Sequence, residues 1–218
     1  LLTVPAIGML YYFRNYTFSW KSFVIANVVS VAILLFVFKL LLPLSLAYFG
    51  NAEVLFINSF GLPFNSGTVI AGLSIIAFFA WGLRFTEQKK WVQLNTGLWC
   101  IAFILIGFSS WVMLPIRANA NTVINENAPA DARSLLAYYN LEQYPETHLF
   151  YGPMYTDMYA GQDENEPYRD DKPKYEKDLK RGRYVIVNSW EDARINANSK
   201  HSGLLPRLWS SGNAVNYI

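Results

Sequence analysis

RANANTVINENAPADA, residues Arg117–Ala132, divides the chain into two parts of opposite character. Before it, residues 1–116 are apolar and aromatic, and their only charged side chains stand at positions 14, 21, 39, 53, 84, 87, 89 and 90. After it, the chain is polar, charged and rich in Tyr, Asn and Pro. Soluble domains carry about 25% charged residues, and this chain carries 16%. The asymmetry therefore predicts a membrane part joined to a water-facing part.

The first part contains apolar runs of membrane-crossing length. A crossing helix needs about 20 predominantly apolar residues. We therefore expect an α-helical polytopic membrane region with three full spans, at residues 22–42, 66–85 and 94–116, and one partial span at residues 1–13. The chain begins in an apolar run without the charged n-region of a signal peptide, so we interpret it as a piece of a longer protein.

Positive charges in the short loops predict the orientation of these spans. Residues 14–21 hold two positive charges and residues 84–90 hold three, whereas residues 43–65 hold none. The positive-inside rule assigns the first two segments to the cytoplasm and residues 43–65 to the opposite side. Residues 117–218 then lie outside the cytoplasm. We expect residues 43–65 to form an outer amphipathic loop, either an interfacial linker or the wall of a lipid-facing groove.

Residues 117–218 predict a small mixed α+β segment. Asn127 is a candidate N-cap of a helix that runs to about Gln143, before Pro145. Alternating or β-branched residues predict strands at His148–Tyr151 and Tyr184–Asn188. Residues 159–183 mix both signs of charge with Pro and Gly, which predicts an exposed loop or hairpin, and residues 201–211 predict irregular structure.

Several classes of chemistry have no motif in this sequence. It lacks GxGxxG, GxxxxGK and GxSxG, and no cluster of metal ligands is visible around the isolated His148 and His201 or the single Cys100. We therefore expect neither a metal nor a cofactor. Basic residues at 172–183 alternate with acidic ones, which argues against a nucleic-acid partner.

The segment Arg117–Ala132 holds the candidate site. The Arg117 guanidinium, at the outer end of the last span, is suited to bind a lipid phosphate through two hydrogen bonds. Amide side chains suit either the hydroxyls of a sugar or the backbone of an irregular turn, so a purely structural Asn-rich joint stays open. The candidate substrate-binding residues are Arg117, Asn119, Asn121, Asn125, Glu126 and Asn127.

Three stretches carry a resemblance to a known family. They are RANANTVINENAPADARSLLAYYNLEQY followed by LFYGP at Leu149–Pro153, FINSFGLPFNSG at Phe56–Gly67, and LLPRLWSS at Leu204–Ser211. Together they resemble the bacterial family of domain of unknown function 2723. Members of that family are large polytopic proteins whose membrane half is similar to GT-C glycosyltransferases, and an animal relative is a protein O-mannosyltransferase.

The resemblance implies transfer of a sugar from a polyprenyl-phosphate donor to a protein acceptor. The reaction would take place on the periplasmic side of a bacterial inner membrane. This chain would supply C-terminal spans and the start of the periplasmic domain. GT-C enzymes place the catalytic carboxylate in their first outer loop, so we expect the base to lie outside these residues. The six candidate residues match the family's run at the membrane exit.

Two other functions remain open from the residues alone. A non-catalytic membrane subunit of a secretion or envelope assembly would use the spans as an anchor, and Tyr151, Tyr155, Tyr159, Trp190 and Trp209 would supply an interface with other subunits. A transporter is the third alternative, but no pair of broken helices supports it.

Overall fold

The structure, a computed structural model, describes residues 3–120, 123–125, 127–144, 148, 150–154, 161–206, 213 and 216. The chain divides into two compact units, Leu1–Leu136 and Ala137–Ile218. The first unit is helical, and the second contains every strand found in the described ranges. This order matches the expected one, in which a helical part precedes a small segment with strands.

The helices follow one another with short connections. Their bounds are α1 Thr3–Asn15, α2 Trp20–Leu35, a π-helical segment Phe36–Leu41, α3 Leu42–Phe60, α4 Ser66–Gln88, α5 Val92–Phe108, a 3-10 turn Ser109–Val112, α6 Met113–Asn119 and α7 Ala132–Tyr139.

Three continuous helical stretches in the described part of the chain are long and apolar enough to cross a membrane. They are Trp20–Phe60, Ser66–Gln88 and Val92–Asn119, and they contain the three predicted spans. None of the residues of α2 is buried. A helix that is apolar all round and packed against so little protein is typical of contact with lipid. At 13 residues, α1 is about 20 Å long, shorter than the hydrocarbon core of a bilayer.

Residues 43–65, expected to form an outer amphipathic loop, are helical over most of their length. Residues Leu42–Phe60 form α3, which continues α2 through the π-helical segment. Pro43 comes two residues after the π-helical segment, where the continuous helix departs from regular α geometry. A proline within a helix removes one backbone hydrogen bond and crowds the preceding turn, and such irregular segments accommodate it. Only residues 61–65 form a turn, and Gly61 ends α3 in the left-handed conformation with φ +66°.

Helix α3 packs antiparallel along α4. The hydroxyls of Tyr48 and Ser74 are hydrogen-bonded at 2.6 Å, and the buried Glu53 lies against the first turn of α4. A Cβ added to Gly67 would come within 2.5 Å of the Cα of Glu53, so the two backbones are in close contact. At the other end of α4, Asn95 of α5 donates its amide to the carbonyl of Leu83 at 3.0 Å. The helices α3, α4 and α5 therefore pack as consecutive antiparallel neighbours.

The strands of the second unit form nested antiparallel pairs. Their bounds are β1 Tyr151–Pro153, β2 Tyr168–Arg169, β3 Tyr175–Asp178, β4 Arg183–Ile186, β5 Arg194–Ile195 and β6 Ser202–Leu204. In the described residues β1 pairs with β6, β2 with β5 and β3 with β4, so each outer pair encloses the next along the chain. We call residues 150–154 and 161–206 the nested ribbon.

The strand and helix bounds bear on five local predictions for residues 127–211. The hairpin expected in residues 159–183 is formed by β3 and β4, which extends a few residues beyond that range. Strand β4 confirms the strand expected to begin at Tyr184. The helix predicted from Asn127 begins at Ala132 instead, and residues 202–204, predicted to be irregular, form β6. The predicted strand at His148–Tyr151 contributes only Tyr151 to β1, and Leu149 lies outside the described residues.

Candidate functional site

Arg117 lies in the short helix α6, at the end of the last stretch of membrane-crossing length. Its side chain is exposed, and it forms no hydrogen bond or ion pair with the residues that the structure describes. A cation in the last turn of a helix also interacts favourably with the helix dipole. The guanidinium is therefore available to an anionic ligand.

Two of the candidate Asn side chains bind the backbone of the protein itself. The Asn119 amide donates to the carbonyl of Pro115 and to that of Ala130, both at 2.8 Å. The Asn125 amide donates to the carbonyl of Ala118 at 3.0 Å. Carbonyls at the end of a helix have no partner within the helix, and these amides supply one. The observed contacts of Asn119 and Asn125 are thus those of the structural joint.

The bond from Asn125 brings its segment to the end of α6, the helix that contains Arg117. Because Asn125 bonds to Ala118, residues 123–125 lie beside the end of α6. Val123 and Ile124 are strongly exposed there. An exposed guanidinium with exposed apolar neighbours is the combination found in proteins at a membrane–water interface.

The chain then turns sharply before α7. Asn127 and Ala128 have positive φ values of 58° and 35°, a conformation in which Asn is more common than other non-Gly residues. The true N-cap is Asp131, whose carboxylate accepts the N–H of Ser134 at 2.9 Å, while Ser134 Oγ accepts the N–H of Asp131 at 2.9 Å. This reciprocal arrangement is a capping box and fixes where α7 begins.

Helix α7 packs on α3. A Cβ at Gly50 would lie 2.6 Å from Cδ2 of Leu136 and 3.4 Å from the carbonyl of Ala132. Arg133, one residue into α7, is buried at this junction. The segment after Arg117 is therefore held in two places. The Asn119 amide of α6 binds its later part, and α7 packs on α3.

The predicted site residues have separate outcomes. Arg117 is exposed, Asn119 and Asn125 bond to backbone, and Asn127 supplies a left-handed turn. Asn121 and Glu126 lie outside the described residues. Sequence reasoning missed Arg133 and the part that Glu53 plays. A lone carboxylate in an apolar stretch was the available sign for Glu53, but its partners are 12 and 15 residues away.

No group of three or more His, Cys, Asp or Glu side chains that could hold a metal ion is found among the described residues.

Comparison with family models gives a match at the C-terminal end of the chain. Residues 145–218 match the model of a family described as Family of unknown function (DUF8416). No curated protein and no solved structure matches the chain. The match corresponds closely to the second compact unit, which begins at Ala137. The match covers about the last third of the chain. Nothing in these comparisons links the chain to the family of domain of unknown function 2723 or to GT-C enzymes.

Proposed function

We propose that the chain is part of a membrane glycosyltransferase. It would use a polyprenyl-phosphate-linked sugar donor on the periplasmic side of a bacterial inner membrane, with a protein as acceptor. The catalytic carboxylate would lie in a part of the protein outside these residues. The resemblance at the exit segment supports this proposal, as do the exposed Arg117 and the exposed apolar Val123 and Ile124 of the same segment.

Arg117 carries the proposal because it is the charged group suited to the donor. The bond between the sugar and the lipid phosphate breaks during transfer, and negative charge grows on the departing phosphate. A guanidinium placed to bind that phosphate stabilises the charge where it develops. Asn119 and Asn125 would fix the backbone around Arg117 rather than touch the sugar, as their bonds to Ala130 and Ala118 indicate.

The test is substitution of Arg117 in the full-length protein. Arg117→Ala is expected to abolish glycosylation of periplasmic proteins, measured by mass spectrometry of the acceptors, while the protein still fractionates with membranes. Arg117→Lys should keep part of the activity, because Lys retains the positive charge but cannot form the bidentate pair of hydrogen bonds with a phosphate. Arg84→Ala is a matched control, since Arg84 is also exposed and helical but lies near the C-terminal end of α4. Wild-type glycosylation by Arg117→Ala would contradict the proposal.

A second candidate is a non-catalytic membrane subunit that docks partners through the nested ribbon. The use of Asn119 and Asn125 as backbone clamps favours it, since a joint of this kind needs no substrate. Two measurements on the purified full-length protein separate the candidates. Release of lipid phosphate from a lipid-linked sugar supports the enzyme. Stoichiometric co-purification of another envelope protein, without such release, supports the subunit.

A further inference from the structure

The turn between β3 and β4 presents an apolar side chain to solvent. Leu179 is the first residue of this turn and is 80% exposed. The turn has a defined conformation, because Asp178 Oδ1 accepts the N–H groups of Lys180 and Arg181 at 3.0 and 3.2 Å. Gly182, with φ +64°, takes the left-handed position that closes it. The exposure of Leu179 is therefore a property of the folded turn.

Cations follow this exposed leucine along the turn, and Asp178 precedes it. Lys180 and Arg181 follow it in the turn and Arg183 begins β4, and all three are exposed. Arg181 contacts Asp178 at 3.5 Å with its side chain still 65% exposed, so the pair neutralises little of its charge. By contrast, residues 163–171 of the same ribbon are mainly acidic. Three cations of the ribbon are thus grouped within four residues at the β3–β4 turn.

One leucine among cations fits a lipid surface better than a protein surface. A specific protein interface buries about 800 Å² on each partner, and a four-residue turn offers much less apolar area. At an anionic membrane, by contrast, an apolar side chain enters the boundary of the acyl region while Lys and Arg bind the phosphates. We propose that the β3–β4 turn docks on an anionic lipid surface through Leu179, Lys180, Arg181 and Arg183. This rests on the membrane anchoring in the proposed function, which keeps the ribbon tethered near lipid.

The proposal can be tested in the full chain with a single label. Cys100 is the one cysteine of the sequence, so Cys100→Ser removes the native thiol and Leu179→Cys provides a site for an environment-sensitive fluorophore. The protein is reconstituted into phosphatidylcholine vesicles with or without phosphatidylglycerol, each with a lipid-borne quencher. A matched control is Glu164→Cys in the same background, because Glu164 is also strongly exposed but lies in the acidic part of the ribbon.

Quenching at position 179 is expected only in vesicles with phosphatidylglycerol, and not at position 164. Adding Lys180→Gln should lower the ratio of docked to free turn about fivefold, which is the factor expected for loss of one basic residue at an anionic surface. Raised salt should act in the same direction. Equal quenching with and without phosphatidylglycerol, or equal quenching at the two positions, would overturn the proposal.

Two further outcomes distinguish its failure from that of the proposed function. A chain that floats with the vesicles but shows no quenching at position 179 refutes lipid docking and leaves glycosyl transfer untouched. A chain that fails to float refutes membrane anchoring and both proposals with it. A third outcome is that position 179 cross-links to an acidic protein in cells and its label is not quenched in vesicles. In that case the turn docks on that protein, and the lipid proposal is wrong.

Discussion

Glu53 accepts both the backbone N–H and the hydroxyl of Thr68, each at 2.8 Å, through one carboxylate oxygen. Its other oxygen accepts the N–H of Asn65 at 2.6 Å. Glu53 is fully buried, so these bonds replace the water that its charge would otherwise bind. They also satisfy N–H groups at the start of α4, where a negative charge interacts favourably with the helix dipole.

Glu53→Gln is therefore expected to destabilise the helical unit. Gln has nearly the same size, but it loses the charge and turns an NH2 group toward donors. Leaving a buried donor without its acceptor costs about 1–3 kcal/mol. We expect a lower Tm for the protein purified in detergent, followed by circular dichroism. Glu87→Gln, at an exposed position of α4, is the control and should change the Tm little. Equal Tm values for the two variants would contradict this account of Glu53.

Gly67→Ala tests the close contact between α3 and α4. The added Cβ would lie 2.5 Å from Cα of Glu53 and 2.6 Å from the carbonyl oxygen of Ala52. Because both neighbours are backbone atoms, the helices must move apart, and we expect a loss of about 1–3 kcal/mol. Gly97→Ala is matched to it, since a Cβ at Gly97 of α5 meets nothing within 4 Å. That change should be neutral or stabilising by about 0.5–1 kcal/mol, and a Tm for Gly67→Ala as high as for Gly97→Ala would rule out the contact.

The long apolar runs were sufficient to predict α4 and α5, because long helices with mostly exposed apolar side chains leave a continuous apolar signal. The same reasoning failed at α3. This segment contains residue types that are less common inside apolar helices, namely Pro43, Gly50 and Glu53. Each is accommodated in α3 by a partner or a position in the fold that cannot be recognised from the sequence alone. Pro43 closely follows the π-helical segment, Gly50 contacts Leu136, and Glu53 caps another helix. Tertiary contacts override local preference here.

The pairing of α3 with α4 bears on which residues could cross a membrane. Because Tyr48 is level with Ser74, and Glu53 with Thr68, a bilayer that contained α4 would contain α3 as well. The continuous helix Trp20–Phe60 is roughly 60 Å long, twice the hydrocarbon thickness of about 30 Å. Sequence hydropathy selected residues 22–42 as the crossing, since it measures composition and has no information on which helix lies beside which.

The nested ribbon could not be predicted as a whole for a different reason. Its strands contain two to four residues, too few for an alternating pattern, and β1 pairs with β6 about 50 residues away. Only the local β3–β4 hairpin left a recognisable pattern. In the candidate site, likewise, residue types alone did not separate a sugar-binding Asn from one that bonds to backbone.

Asn119→Ala and Asn125→Ala test the clamp after α6. Each substitution removes an amide donor from a backbone carbonyl, and each bond contributes about 0.5–1.5 kcal/mol. We expect faster hydrogen exchange across residues 117–132 by mass spectrometry and unchanged exchange in α4. Asn51→Ala, at an exposed position of α3, serves as the control. Unchanged exchange after Asn119→Ala would mean that the joint does not depend on this side chain.

Acid is expected to weaken the ribbon at Asp171. The hydrogen bond from the N–H of Lys172 lowers the pKa of Asp171, and the nearby Arg194 guanidinium, at 2.6 Å, adds to this. A carboxylate whose pKa is lower in the folded state stabilises the fold above its unfolded pKa of about 3.9. That contribution is lost as the pH falls through the folded pKa. Exchange of the amides of β2 and β5, corrected for its intrinsic pH dependence, should therefore rise on acidification below roughly pH 4.

Asp171→Asn should show faster exchange in β2 and β5 already at neutral pH, and a smaller further rise in acid. A smaller rise is expected to remain, because the pKa of Asp163 is also lowered, mainly by the N–H of Asn165. Glu191→Gln is the matched control, as Glu191 is an exposed carboxylate in the same unit. If Asp171→Asn and the wild-type protein lose protection in parallel on acidification, then Asp171 and Arg194 do not hold these strands together.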